Sequence, residues 1–274
     1  MTVELKSMGK VVRIKLLLLL SCLVASADPC WVHAPNSGAA PVDQLQVGSN
    51  ACGPAALMNS FHTGSEKWRR AFSVMGGTND KERMAWIIRE VGMRSSNHVY
   101  ASPRWNRRGV GVEDLRDMAN DVLRKAYLPT LKKEILFRDG GDSPEDLLAQ
   151  AHKLMRKSLS AGFPPILSVR RYALRKGSGK NPQWTVIEGH FVTLTRMQCK
   201  LQRGDHGFAV AYVDPWRGRR CEGWIGIPER AFMEDPVGVS SCLEAVFPEV
   251  LIGKGRIRQG ERTAIALVAV IGKW

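Results

Sequence analysis

The chain has 274 residues and a net charge of +14 at pH 7, from 40 Lys and Arg against 26 Asp and Glu. Beyond its first 27 residues, no apolar run is long enough to cross a bilayer and no cysteine pair has zinc-site spacing. No zinc-finger, helix-turn-helix or aromatic stacking pattern is present. We therefore expect no membrane-spanning domain, structural zinc site or nucleic-acid-binding module in residues 28–274.

The first 27 residues are typical of a secretory signal peptide. Basic residues precede the apolar run LLLLLSCLVASA, which ends in small residues. Cleavage after Ala27 removes four basic and one acidic side chain and lowers the net charge to +11. Residues 28–274 are then predicted to form one domain of a secreted or periplasmic protein. Lipid anchoring at Cys22 is the alternative, but the apolar residues that follow it favour plain secretion.

The positive charge of the mature domain is scattered over separate segments: RWNRRG, RRYALRKGSGK, PWRGRR and GKGRIR. A solvated basic surface is one interpretation. The other is attraction to an anionic surface or an acidic substrate.

The first half of the domain is predicted to be mainly helical, after an extended proline-rich arm over residues 28–45. Apolar periodicity, with Ser143 as an N-cap and Pro144 after it, predicts helices over Cys52–His62, Asp80–Gly92, Val112–Ala126 and the segment from Ser143. A strand is predicted near Leu131–Phe137.

The second half is rich in β-branched and aromatic residues between Gly, Pro and Asp turns. Strands are predicted over Pro164–Val169, Gln183–Glu188, His190–Met197, Gly207–Asp214, Trp224–Pro228 and Thr263–Ile271. The expected fold class is α+β, with a helical half packed against a C-terminal antiparallel β-sheet.

Cys52 lies in the stretch QVGSNACGPAALMN, between turn-forming residues and a run of good helix formers. It is therefore expected at a helix N-terminus, where free N–H groups and the helix dipole stabilise a thiolate. A buried apolar cysteine, or half of a disulfide, is the alternative.

A nucleophilic cysteine needs a base, and His190 is the favoured candidate because it opens a predicted strand directly after Gly189. If that strand forms a hairpin with Gly207–Asp214, Asp214 comes within reach of His190 and can orient the ring. Gln46, six residues before Cys52, is a candidate oxyanion donor together with the Cys52 N–H. The alternatives are a structural histidine, a turn-forming Asp-Pro and a surface glutamine.

The motifs Q-x5-CGPAAL, PPILSV, GHFVTL and YVDPW, in this order, resemble the papain-like cysteine peptidases, closest to the bacteriocin-leader-processing branch. The resemblance implies a papain-like fold and assigns catalytic roles to Cys52, His190, Asp214 and Gln46. The basic PWRGRR loop and the basic segment 94–110 depart from the family pattern.

The leading hypothesis is therefore a secreted thiol hydrolase that cleaves a peptide or related amide bond through an acyl-enzyme, without a metal or cofactor. A papain-like acyl or γ-glutamyl transferase, or a catalytically silent basic binding protein, is the alternative. Disulfides are expected for Cys199 with Cys221 and, by elimination, Cys30 with Cys242, which leaves Cys52 free.

Overall fold

The computed structural model describes residues 30–136, 143–176, 182–229 and 242–274. The predicted signal peptide, Cys22 and Phe137 lie outside the described residues. The helices are α1 Cys52–Thr63, α2 Glu66–Arg69, α3 Asp80–Ile87, α4 Val112–Lys125 and α5 Pro144–Ser160. The strands are β1 Trp31–His33, β2 Trp105–Asn106, β3 Gly109–Val110, β4 Lys132–Ile135, β5 Ile166–Lys176, β6 Pro182–Gln198, β7 Gly207–Asp214, β8 Arg219–Gly226, β9 Leu243–Val246 and β10 Thr263–Gly272.

Six antiparallel strands, β5 to β10, close into a barrel. Each strand pairs with the next along the chain, and β10 pairs back with β5. Strand β6 is long enough to serve two neighbours: Pro182–Thr193 pairs with β5, and Thr193–Met197 pairs with β7. The short strands β1 and β4 add to β6 and β10 respectively. The barrel has no free edge between its first and last strands.

The predicted papain-like α+β fold class is wrong, because the strands form a closed barrel with two extra strands. The helical first half also supplies β1 and β4 to the sheet, so the two halves of the chain are not separate layers. Alternating apolar residues identify strands, but closure depends on the distant pairing of β5 with β10.

Most of the individual helices and strands that the sequence predicts are confirmed. Helices α1, α3, α4 and α5 begin at predicted positions, and the Ser143 side chain caps α5 by accepting from the Asp146 N–H at 3.0 Å. The two strands predicted on either side of Gly189 are one strand, β6. A Cβ at Gly189 would meet nothing closer than 3.9 Å, so this glycine marks no turn or close approach.

Helix α1 is almost entirely buried and packs against strand β6. Leu57, Met58 and Phe61 are fully buried, and each contributes about 1.5–3 kcal/mol by leaving water. The Thr193 hydroxyl donates to the Ala56 carbonyl at 2.8 Å, which ties β6 to the first turns of α1. A second core joins α5 to alternate residues of the barrel strands. The start of α1 is thereby held beside the middle of β6.

Candidate active site

Cys52 is the first residue of α1 and lines a cavity of about 810 Å³. The preceding Ala51 makes no side-chain cap, so the N–H groups of the first turn stay available to an anion. Gly53 lets this helix start lie against β3: a Cβ there would come 2.4 Å from Cγ1 of Val110. The thiol is partly exposed, as a nucleophile requires.

His190 lies in β6 and faces the same cavity. Its Nε2 is 2.8 Å from Oδ1 of Asp214, the last residue of β7, and the ring is only 8% exposed. The predicted β6–β7 hairpin is confirmed, since Thr193 pairs with Val213. This antiparallel pairing brings the two side chains together.

Asp214 hydrogen bonds to the His190 ring, and the Cys52 side chain lies close enough to affect the pKa of that ring. Burial by itself disfavours the imidazolium, but the hydrogen bond to Asp214 and the nearby Cys52 side chain outweigh burial and raise the pKa of His190 to about 10. The arrangement therefore favours a protonated His190 beside Cys52.

Asp214 is fully buried and receives three hydrogen bonds. Besides His190, the Trp216 N–H donates to Oδ1 at 2.9 Å and the Arg219 guanidinium donates to Oδ2 at 2.9 Å. Burial alone would raise the pKa of Asp214, but these donors outweigh burial and lower it below its ordinary value. The carboxylate stays ionised without solvent.

Arg219 was not identified as a site residue from the sequence. The basic PWRGRR loop directly after Asp214 is the signal that could have found it. The guanidinium is itself held by the carbonyls of Trp216 at 3.3 Å and Glu249 at 2.8 Å.

The structure does not bring Gln46 together with the other three predicted residues. Gln46 ends a 3-10 turn, is exposed, and is not among the residues that line the cavity. Its predicted role as an oxyanion donor stays a prediction.

Gln44, in the same turn, is fully buried and connects the two halves of the site. Its Nε2 donates to the Ser49 carbonyl at 2.6 Å, and its backbone N–H donates to the Pro215 carbonyl at 2.9 Å. Gln44 therefore positions the segment before Cys52 relative to the segment after Asp214. The sequence spacing to Cys52 selects Gln46 and gives no signal for Gln44.

The predicted disulfide pairs are wrong. The structure has a Cys30–Cys199 bridge, because β1 pairs with the end of β6 and brings Cys30 beside Cys199. Cys221 and Cys242 are free and buried, and burial is the main cause that raises their pKa values to about 11 and about 12. Within the described ranges, Cys52 is the one free thiol that is not buried.

One group of side chains could in principle hold a cation: His98, Asp114 and Asp117. His98 lies 3.0 Å from Asp117, and both oxygens of Asp114 accept from the Ser96 hydroxyl at 2.9 Å. Both carboxylates already have hydrogen-bond partners, and none of the three residues lines the Cys52 cavity.

Comparison with family models, curated proteins and solved structures finds no match for this chain. None of the helices in the described ranges combines the length and apolarity that a bilayer crossing requires.

Proposed function

We propose that the protein is a thiol hydrolase that cleaves a peptide or related amide bond. One observation carries the proposal: Cys52 and His190 line one cavity, and His190 is held there by a hydrogen bond to the buried Asp214. A nucleophile, a base within hydrogen-bond reach and a group that orients the base are what acyl transfer requires.

In the first step the Cys52 sulfur attacks the amide carbonyl carbon and forms a tetrahedral oxyanion. The carbon–nitrogen bond then breaks, and the departing amine takes a proton from the His190 imidazolium. A thioester to Cys52 and a neutral imidazole remain. Water, deprotonated by His190, attacks the thioester, and collapse releases the carboxylic acid and regenerates the thiolate–imidazolium pair.

The developing oxyanion is stabilised by N–H groups at the start of α1. The Cys52 N–H belongs to the first helical turn, which has no intrahelical acceptors for its donors. Gln46 is the second donor that the motif resemblance implies. Kinship with the cysteine peptidases depends on that resemblance alone.

We also propose that the protein acts outside the cytoplasm. The Cys30–Cys199 bridge supports this location, because disulfides persist in oxidising compartments. The signal peptide predicted over residues 1–27 agrees with it.

Activity-based labelling tests the hydrolase directly. A thiol-reactive acyl probe at neutral pH should label Cys52, and peptide mapping should find Cys221 and Cys242 unlabelled in the native protein. Cys52→Ala should abolish labelling and turnover of a peptide library, whereas Cys242→Ala should abolish neither. Labelling that persists in Cys52→Ala would contradict the proposal. Turnover that requires an added amine would indicate a transferase instead.

A further inference from the structure

We propose that the Cys52 cavity binds an acidic peptide, with Asp or Glu side chains on the residues that flank the scissile amide. This inference rests on the proposed function and names the substrate class of that site. Four arginines line the cavity: Arg107, Arg108, Arg170 and Arg256. The carboxylates that line it in the described ranges are Glu188 and Asp214, and Asp214 is already bound by His190 and Arg219.

Arg107 and Arg108 form the two-residue turn between β2 and β3. Gly109, directly after the turn, has a φ of +95°, which glycine adopts without strain, and the Asn106 side chain accepts the Arg108 N–H at 2.8 Å. The turn is therefore a defined structure that presents two exposed guanidinium groups.

This hairpin is attached to the segment that precedes the nucleophile. The Asn50 side chain donates to the Asn106 carbonyl at 3.2 Å, and the Trp105 indole donates to the Asn50 carbonyl at 3.3 Å. The arginine turn and Cys52 thus have a fixed separation. The basic segment 94–110, which departs from the peptidase pattern, supplies one wall of the cavity.

The other two cavity arginines come from different elements. Arg170 lies in β5 opposite Gly189, directly beside His190 in the strand register. Arg256 is held near the cavity because it donates to the Ile187 carbonyl at 3.2 Å. Arginines from three separate segments therefore line the cavity that holds the nucleophile.

The four cavity arginines differ from the other arginines of the neighbouring segments. Arg94, Arg104 and Arg124 all pair with one carboxylate, Asp121. None of the cavity arginines forms an ion pair with a carboxylate of the described residues. Their charge is left for a ligand, and guanidinium binds carboxylate in a planar two-point geometry. A concave basic surface also raises the local concentration of anions.

The test uses Cys52→Ala protein, which holds substrate without cleaving it, and fluorescence anisotropy. A labelled peptide with three Glu on each side of a Gly-Ala bond is compared with its Gln counterpart. The Glu peptide should bind at least tenfold more tightly at low salt. Arg107→Gln/Arg108→Gln should reduce that preference about tenfold, and 1 M salt should remove most of it, since the Debye length falls to about 3 Å.

Arg203→Gln is the matched control, because Arg203 is exposed and lies outside the cavity. It should leave the preference unchanged. If Arg203→Gln and the double variant lose the preference for the Glu peptide equally, general surface charge causes the binding and the proposal is overturned. A preference for the Gln peptide would do the same.

The two proposals fail separately. One outcome is that the Glu peptide binds through the cavity arginines while Cys52 is never acylated. That result would uphold acidic-peptide binding and contradict the hydrolase. Cleavage of Gln peptides in preference to Glu peptides by the wild-type protein would uphold the hydrolase and contradict acidic-peptide binding.

Discussion

Asp214 shares its carboxylate between His190 and a cation: Oδ1 lies 2.8 Å from His190 Nε2, while Oδ2 accepts from Arg219 at 2.9 Å. A fully buried carboxylate with a single partner would be costly, because its remaining lone pairs would lack donors. Arg219 supplies the missing donor, and the ring of His190 keeps one orientation toward Cys52. The acid of the site is thus fully hydrogen-bonded before any substrate arrives.

Cys52→Ala and His190→Ala should each abolish turnover while the protein remains folded. Cys52 is partly exposed, and Asp214 keeps its bonds from Arg219 and Trp216 when the imidazole is removed. Peptide hydrolysis and thermal melting should be measured together, with His33→Ala, an exposed residue of β1, as the control. Full activity in either variant, at unchanged melting temperature, would remove that residue from the mechanism.

Asp214→Asn should retain more activity than His190→Ala, because an amide oxygen can still accept from Nε2 and orient the ring. Its NH2 group would face the Arg219 guanidinium, so one charge-assisted hydrogen bond is lost at a cost of about 1.5–3 kcal/mol. Urea unfolding should report this loss, and steady-state rates should rank the two variants. Activity at or below that of His190→Ala would mean that the negative charge, rather than orientation, is essential.

Alkylation of Cys52 by iodoacetamide should stay fast in mildly acidic buffer. The pKa of His190 is about 10 in the fold against about 6.5 in an unfolded chain, so the imidazolium persists through neutral pH beside Cys52. The stability that this protonation contributes is complete below about pH 6.5 and is lost as the pH rises toward 10. In His190→Ala, alkylation should become fast only near the range where free thiols ionise, about pH 8.5. Identical pH profiles for the two proteins would show that the residues are not a pair.

Gly53→Ala should impair turnover of acidic peptides more than it impairs folding. The added methyl would lie 2.4 Å from Val110 Cγ1, so the hairpin that carries Arg107 and Arg108 must move away from Cys52. Val110→Ala removes that methyl group, and the double variant should recover activity. Failure of the double variant to recover would mean that the glycine acts through the helix start and not through the hairpin.

Peptide mapping under native conditions should find a Cys30–Cys199 bridge and one rapidly modified thiol, Cys52. Cys221 and Cys242 should react only after unfolding, because burial keeps them protonated and inaccessible. Cys199→Ala should lower the unfolding free energy by about 2–5 kcal/mol, since the bridge closes a loop with a sequence separation of 169. Isolation of a native Cys199–Cys221 bridge would contradict this arrangement.

The sequence alone determined the local elements and the pairs that lie close along the chain. Apolar periodicity predicts helix α4, a Ser-Pro start predicts α5, and alternation of apolar residues predicts β7. Each of these signals is contained within one element. His190 and Asp214 could be placed together because two consecutive antiparallel strands join them.

Only the tertiary structure decided the contacts between distant segments. Closure of the barrel, the Cys30–Cys199 bridge and the approach of the Arg107–Arg108 turn to Cys52 each depend on the packing of elements far apart in the chain. The same holds for Gln44, which is buried while Gln46, in the same short turn, is exposed. Local sequence patterns report which face of an element is apolar, but not which distant element will cover that face.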